Sequence, residues 1–142
     1  MKTKPVITDR FQTKHTSFVV NFEFESNVSF IVGDSGVGKS AVFSIFQEAT
    51  VEDKRIRCIN YLDINKNYKN TIKRSNNKLF VIDNADVLLD DKMRMYIALD
   101  GKNQYVIIGR NPSGLQLTKD EVLELDSSKQ GEITEFKLRK AL

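Results

Sequence analysis

Cysteine, histidine and tryptophan are scarce in this chain of 142 residues, which has one cysteine, one histidine and no tryptophan. A single cysteine excludes an internal disulfide framework. Cys58 and His15 alone also leave little material for a zinc cluster or a Ser-His-Asp triad. Free thiols suit a reducing compartment, and no apolar segment follows the N-terminal lysines. We therefore expect a cytoplasmic protein.

Long apolar runs and linkers are missing as well. No window approaches the roughly 18 apolar residues of a membrane-spanning helix, so we expect no membrane partner. Only two prolines interrupt the chain, and it shows no repeat and no Pro/Gly linker. With 40% hydrophobic and 29% charged residues, the composition is that of an ordinary globular protein. Residues 1–142 are predicted to form one domain.

The net charge is small, +3 with a pI near 8.9. Lysine and arginine are scattered along the chain without a block of five or six. This charge permits nucleic-acid binding without indicating it.

Alternating and continuous apolar runs predict the strands. Residues 16–25 alternate in polarity, as in a half-buried strand, and a turn at Ser26 and Asn27 leads into the continuous run 28–32. We expect these two strands to form a hairpin. Further strands are predicted at 56–62, 79–83 and 105–109.

Helices are predicted between these strands, so the fold class is α/β with a mainly parallel, helix-covered sheet. Apolar residues recur at helical spacing over 40–49, directly after a glycine-rich loop. A second helix, from near Val87, is expected to end at Gly101 in a left-handed turn. The C-terminal segment predicts an antiparallel β-hairpin that turns within 127–131.

The segment GDSGVGKS, residues 33–40, fits the pattern G-x-x-x-x-G-K-[ST] between a predicted strand and a helix. Its glycines allow several backbone N–H groups to approach one anion, and the following helix contributes its positive N-terminal end. Lys39 would reach the β- and γ-phosphates, and the Ser40 hydroxyl would ligate Mg²⁺. The residues predicted to bind the nucleotide are Gly33, Asp34, Ser35, Gly36, Val37, Gly38, Lys39, Ser40 and Ala41.

With these residues the chain resembles a P-loop NTPase whose Walker A motif is GDSGVGKS and whose Walker B motif is LFVID, residues 79–83. The resemblance implies that Asp83 helps to hold Mg²⁺. It also implies a three-layer sandwich with a mainly parallel sheet and an N-terminal antiparallel lead-in strand. The resemblance covers about residues 17–112, so the C-terminal hairpin is predicted from its own pattern alone.

Two branches of that family compete. The loop string is similar to that of Rab-type GTPases, but the D-x-x-G motif of that branch has no match, since Asp83 is followed by Asn84-Ala85-Asp86. The guanine-reading N-K-x-D motif has none either, because residues 65–68 (NKNY) precede the Walker B motif and lack the Asp. The additional-strand ATPases, which include the ABC and AAA+ proteins, fit better. There a further strand separates the two motif strands, and residues 56–62 lie between the motifs in sequence. We expect ATP as the nucleotide, although the L-S-G-G-Q signature of ABC proteins is absent.

The same resemblance assigns several catalytic candidates. Asn84 stands where these ATPases usually carry a catalytic Glu, and an amide cannot accept a proton. Asp86 is a possible substitute base, or alternatively the N-cap of the following helix. Arg110 or Asn111 would sense the γ-phosphate, or alternatively both are ordinary residues of the loop after a buried strand. Phe11 would either stack on adenine or be an ordinary surface or edge aromatic.

Three functions follow from these candidates. One is a slow Mg²⁺-dependent ATPase, completed by a protein partner or by self-association. Another is a regulatory module that binds ATP without efficient hydrolysis. A GTPase or a small-molecule kinase is the weakest match, since the region 110–121 has one arginine where kinases carry an Arg-rich lid.

Overall fold

The computed structural model describes residues 4–33 and 38–141. Eight strands form one sheet: β1 (Arg10–His15), β2 (Phe18–Glu23), β3 (Val28–Val32), β4 (Ile56–Ile59), β5 (Leu79–Ile82), β6 (Gln104–Ile108), β7 (Val122–Gln130) and β8 (Ile133–Lys140). The helices are α1 (Lys39–Ala49), α2 (Tyr68–Arg74), α3 (Ala85–Leu88) and α4 (Asp91–Leu99). Short 3₁₀ turns lie at Tyr61–Asp63 and Lys119–Glu121.

The sheet is mixed, with the spatial order β1-β2-β8-β7-β3-β6-β5-β4. Five neighbouring pairs are parallel, and only the β1–β2 and β7–β8 pairs are antiparallel. The strands β7, β3, β6, β5 and β4 form a continuous parallel block. The predicted α/β class is therefore confirmed.

The N-terminal pairing differs from the prediction. We expected residues 16–25 to form a hairpin with 28–32, but β2 lies between β1 and β8, while β3 pairs with β6 and β7. The sequence gives little sign of β1, because Phe11 is its only buried side chain. A strand with one apolar anchor has no alternating pattern to reveal it.

Each face of the sheet carries its own hydrophobic core. Helix α1 covers one face through Val42, Phe43, Ile45 and Phe46, which pack against apolar side chains of β1 to β6 and β8. Helices α2, α3 and α4 cover the other face, where Phe80, Ile82, Tyr105 and Ile107 alternate with the residues of the first core. The central strands are buried on both sides, which explains why β3, β5 and β6 read as continuous apolar runs.

The strand that separates β3 from β5 in space is β6, which follows both in sequence. Residues 56–59 instead form β4 on the outer side of β5. The predicted strand 56–62 also ends early, because Asn60 and Asp63 form a capping box that starts a 3₁₀ turn and leaves Tyr61 and Leu62 exposed.

The region after β5 contains two helices where one was predicted. Helix α3 starts at Ala85, and α4 starts at Asp91 with the Asp90 side chain accepting a hydrogen bond from the Met93 N–H. The left-handed stop at Gly101 is wrong: α4 ends at Leu99, and the positive φ angles among the described glycines lie elsewhere. Helix α2, in which three of seven residues are basic, was not predicted.

The C-terminal hairpin is confirmed. Strands β7 and β8 pair antiparallel from Leu123 with Lys140 to Gln130 with Ile133. The turn lies at Gly131 and Glu132, at the end of the predicted segment, and Gly131 has a φ of 63°. None of the helices in the described ranges is long and apolar enough to cross a membrane.

Candidate functional site

One cavity of about 190 Å³ gathers residues from three separate elements. Parallel strands place their carboxyl ends at one edge of a sheet, and ligands of open α/β sheets bind at that edge. Here the ends of β5 and β6 meet the start of α1. The lining residues are Lys39, Ser40, Asp83, Asn84, Asp86, Ile108, Gly109 and Arg110.

Helix α1 begins directly behind the glycine-rich loop, of which residues 34–37 lie outside the described part of the chain. The predicted binding residues Asp34, Ser35, Gly36 and Val37 are therefore not described. Gly38 is the N-cap of α1 with a φ of 93°, a left-handed angle that favours glycine. The Lys39 ammonium folds back and donates a hydrogen bond to the Gly33 carbonyl oxygen. Both ends of the loop are thus joined by the lysine.

The aromatic ring of Phe136, in strand β8 of the C-terminal hairpin, lies close to Gly38. A methyl group at this position would lie 2.5 Å from Cε1 of Phe136, well inside van der Waals contact. Phe136 is buried and stacks on Phe18 at 5.8 Å between ring centroids. Glycine is therefore required at position 38 both by its backbone angle and by this ring.

Asp83 and Asn84 follow β5 at the cavity. The Asn84 N–H donates to Asp83 Oδ1 at 2.8 Å, which fixes the carboxylate against its own backbone. Asn84 has φ 54° and ψ 42°, a left-handed conformation that asparagine tolerates better than most residues. Its side-chain Oδ1 accepts a hydrogen bond from the Tyr61 N–H at 3.4 Å. The amide thus links the end of β5 to the turn after β4.

The Asp86 carboxylate joins α3 to the loop after β6. Its two oxygens accept hydrogen bonds from the backbone N–H groups of Arg110, at 2.8 Å, and Asn111, at 3.0 Å. The N-cap interpretation of Asp86 is wrong, because α3 already begins at Ala85 with Asn84 as its N-cap. Both oxygens of Asp86 therefore hold the backbone of the loop after β6.

The loop after β6 is held by Arg94 of α4, whose side chain is only 7% exposed. Its guanidinium donates to the carbonyl oxygens of Leu89, Asn111 and Ser113 at 3.2, 2.6 and 2.7 Å. It also lies 3.7 Å from Asp86 Oδ1. Arg94 and Asp86 together fix the backbone of this loop.

The two predicted sensor candidates occupy this fixed loop. Arg110 and Asn111 are both exposed, and of the two only Arg110 lines the cavity. The structure thus brings Arg110 to the same cavity as Lys39 and Ser40.

The residues predicted to hold Mg²⁺ fit that ion chemically. Mg²⁺ prefers oxygen ligands and keeps several of its waters. The exposed Ser40 hydroxyl and the half-buried Asp83 carboxylate line one cavity, and Oδ1 of Asp83 is engaged by a single backbone N–H. The second carboxylate oxygen is the group that would face a hydrated ion.

Phe11 lies apart from this cavity. It is 9% exposed and stacks on Phe46 of α1 with 4.2 Å between ring centroids. Phe11 is therefore an aromatic residue of the edge strand β1, as the second interpretation expected, but its side chain belongs to the core and is not a surface residue.

Arg94 and Phe136 were not identified from the sequence. Arg94 falls on the buried face of α4, at position i+1 from Met93 and i−3 from Ile97, which is an unusual place for a charge. That placement was the available signal for Arg94. Phe136 had no comparable signal, because its contact with Gly38 spans almost 100 residues of chain.

Comparison with protein-family models, with curated proteins and with solved structures gives no match.

Proposed function

We propose that this chain is a Mg-ATP-binding P-loop domain with weak or partner-completed ATPase activity. One observation carries the proposal: the Lys39 and Ser40 end of the glycine-rich loop, the carboxylate after β5 and the Arg110 cation after β6 line a single cavity. Lys39 would supply a cation for the phosphates, and Arg110 a second one. Ser40 and Asp83 would supply oxygen ligands for Mg²⁺.

The strand arrangement supports the same proposal. The strand before the loop lies between β7 and β6, and β5, which ends at Asp83, is separated from it by β6. This matches the separation of motif strands that the resemblance to additional-strand ATPases implies. Helices on both faces of the parallel block agree with the implied three-layer sandwich.

Each residue has a role in binding that follows from its chemistry. Lys39 would leave the Gly33 carbonyl and pair with the β- and γ-phosphates. The N-terminal end of α1, eleven residues long, adds partial positive charge to the same place. Ser40 and Asp83 would hold Mg²⁺, which neutralises phosphate charge when it is bound.

The hydrolytic step has weaker support, because the carboxylates among the described lining residues of the cavity are those of Asp83, which would hold Mg²⁺, and Asp86. Asn84 can orient a water molecule but cannot take its proton. Asp86 is engaged by two backbone N–H groups. A group from a protein partner or a second copy would therefore have to complete fast turnover.

The second candidate function is a regulatory module that binds ATP without efficient hydrolysis. The hydrogen bond between Tyr61 N–H and Asn84 Oδ1 favours it. A bound γ-phosphate or its water would compete for the Asn84 amide, and the exposed turn that contains Tyr61 and Leu62 would then lose an anchor. Binding of ATP would then change this exposed surface of the protein without ATP hydrolysis.

Calorimetric titration with Mg-ATP and Mg-GTP tests nucleotide binding. We expect one site that prefers ATP and that Lys39→Ala weakens roughly 10- to 150-fold, since a hydrogen bond to a charged group contributes about 1.5–3 kcal/mol. Lys119→Ala removes an exposed lysine outside the cavity and serves as the matched control. Equal binding by the wild type and Lys39→Ala, or no binding at all, would refute the proposal, and a preference for GTP would refute ATP as the ligand.

Phosphate release by Asn84→Asp separates the two candidate functions. Aspartate tolerates the left-handed conformation at position 84, whereas glutamate would add backbone strain to the comparison. Turnover by the wild type that Lys39→Ala abolishes supports the ATPase. If the wild type releases no phosphate and Asn84→Asp does, the result supports the regulatory module.

A further inference from the structure

One segment accounts for the net positive charge of this protein, although its basic residues are spread along the chain. Residues 65–78, NKNYKNTIKRSNNK, contain five of the 22 basic residues and none of the 19 acidic ones. The rest of the chain therefore carries a net charge of −2, although the whole chain carries +3. Five asparagines, with amide groups that can donate hydrogen bonds, stand among these cations.

The fold adds a neighbouring cation to the end of this segment. The Asn77 N–H donates to the Lys102 carbonyl oxygen at 2.9 Å, and Lys102 Nζ lies 3.4 Å from the Lys73 carbonyl oxygen. The loop before β5 and the loop before β6 are thus joined. We call the resulting group of Lys73, Arg74, Lys78 and Lys102 the basic surface.

Ion pairs within the described ranges do not neutralise the positive charge of the basic surface. Two other cations of the segment are paired, Lys66 with Asp63 at 3.6 Å and Lys69 with Asp90 at 2.6 Å. Among the ion pairs of residues 4–33 and 38–141, none involves a member of the basic surface. Lys73 and Arg74 do favour the C-terminal end of α2, but four like charges also repel one another.

We propose that the basic surface binds the sugar-phosphate backbone of duplex DNA. Lysine and arginine residues clustered on one side of a domain are typical of proteins that contact nucleic-acid phosphates. Single-strand binding relies on stacking of bases on open aromatic faces. Tyr68, the aromatic residue within 65–78, is buried, and the half-buried ring of Tyr96 beside this segment is occupied by Lys73, whose Nζ lies 5.8 Å from the ring centroid. Residues 65–78 also expose no large apolar side chain of the kind that a membrane-surface helix inserts.

The basic surface is separate from the candidate nucleotide site. Lys78 and Lys102 precede β5 and β6, while the cavity lies after the ends of these strands. Strands of four and five residues put about 15 Å between the two edges of the sheet. DNA binding is therefore independent of the proposed ATP binding and is tested without nucleotide.

Fluorescence anisotropy of a labelled 20-base-pair duplex, measured from 50 to 200 mM salt, tests the proposal. Four phosphate contacts predict that log K falls with log[salt] with a slope of about −3 to −4. Lys73→Gln/Arg74→Gln should weaken binding at least tenfold and reduce the magnitude of the slope by about 2. Lys78→Gln/Lys102→Gln removes the other two charges and should do the same.

The matched control is Lys119→Gln/Lys129→Gln, which removes two exposed lysines outside the basic surface and should leave the slope within error. An equal effect of this control would overturn the proposal, because binding would then follow net charge alone. Failure of the wild type to bind the duplex would overturn it too. Tighter binding to the matching single strand, or to vesicles with 30% phosphatidylserine, would replace duplex DNA by that ligand.

Discussion

Replacement of Gly38 by alanine should destabilise the fold by more than its backbone angle alone explains. Gly38 has a φ of 93°, and a left-handed conformation costs a residue with a Cβ roughly 1–2 kcal/mol. The added methyl would also lie 2.5 Å from Cε1 of Phe136. Phe136 is 4% exposed, so its ring has little room to move, and overpacking costs about 1–3 kcal/mol. The total expected for Gly38→Ala is about 2–5 kcal/mol.

Gly131→Ala is a control that isolates the cost of the backbone angle. Gly131 has a φ of 63°, and a methyl group there would meet nothing within 4 Å. This variant should lose only the roughly 1–2 kcal/mol of the left-handed conformation. Urea unfolding followed by circular dichroism gives both free energies of unfolding.

A double-mutant cycle with Phe136→Leu then isolates the steric cost. Gly38→Ala should cost about 1–3 kcal/mol less in the Phe136→Leu background than in the wild type, because the shorter side chain relieves the contact. Equal losses for Gly38→Ala and Gly131→Ala, or a cycle that closes without an interaction energy, would show that the ring does not constrain the end of the loop.

Two further predictions concern Arg94 and Cys58. Arg94→Met should lower the free energy of unfolding by about 2–4 kcal/mol, because three carbonyl oxygens lose a charged donor. The control Lys92→Met, on the exposed side of α4, should change it by less than about 0.5 kcal/mol. Equal free energies of unfolding for the two variants would contradict the role of Arg94. Burial raises the pKa of the Cys58 thiol from 9.0 to about 12, so the unfolded chain loses this proton at lower pH than the folded chain. Stability should therefore be unaffected by Cys58 below pH 9 and should fall between pH 9 and 12, by at most about 1.4 kcal/mol per pH unit. Urea midpoints at pH 8 and pH 10.5 should show a smaller decline for Cys58→Ala, and an identical decline would contradict the shifted pKa of the thiol.

The sequence by itself determined the elements whose pattern is local. Strands β3, β5 and β6 were predicted because burial on both faces produces short continuous apolar runs. Helix α1 and the C-terminal hairpin followed from apolar periodicity and turn residues. The cavity residues Lys39 and Ser40 were predicted from the glycine-rich motif. The cavity residues Asp83, Asn84, Asp86 and Arg110 were named from the resemblance to P-loop ATPases.

The tertiary structure alone decided which strands are neighbours and what several polar side chains contact. The order of parallel strands depends on crossover connections, so the sequence could place neither β6 between β3 and β5 nor β2 beside β8. Strand β1 was missed because it has one buried apolar residue, and its place at the edge of the sheet is visible only in its pairing with β2.

The contacts of Asp86 show the same limit at the level of one side chain. Local spacing offered two roles for this carboxylate, a base and a helix cap, and its partners turned out to be N–H groups 24 and 25 residues away. Local pattern records which residues favour a helix or a strand, whereas contacts between distant segments exist only after the chain has folded.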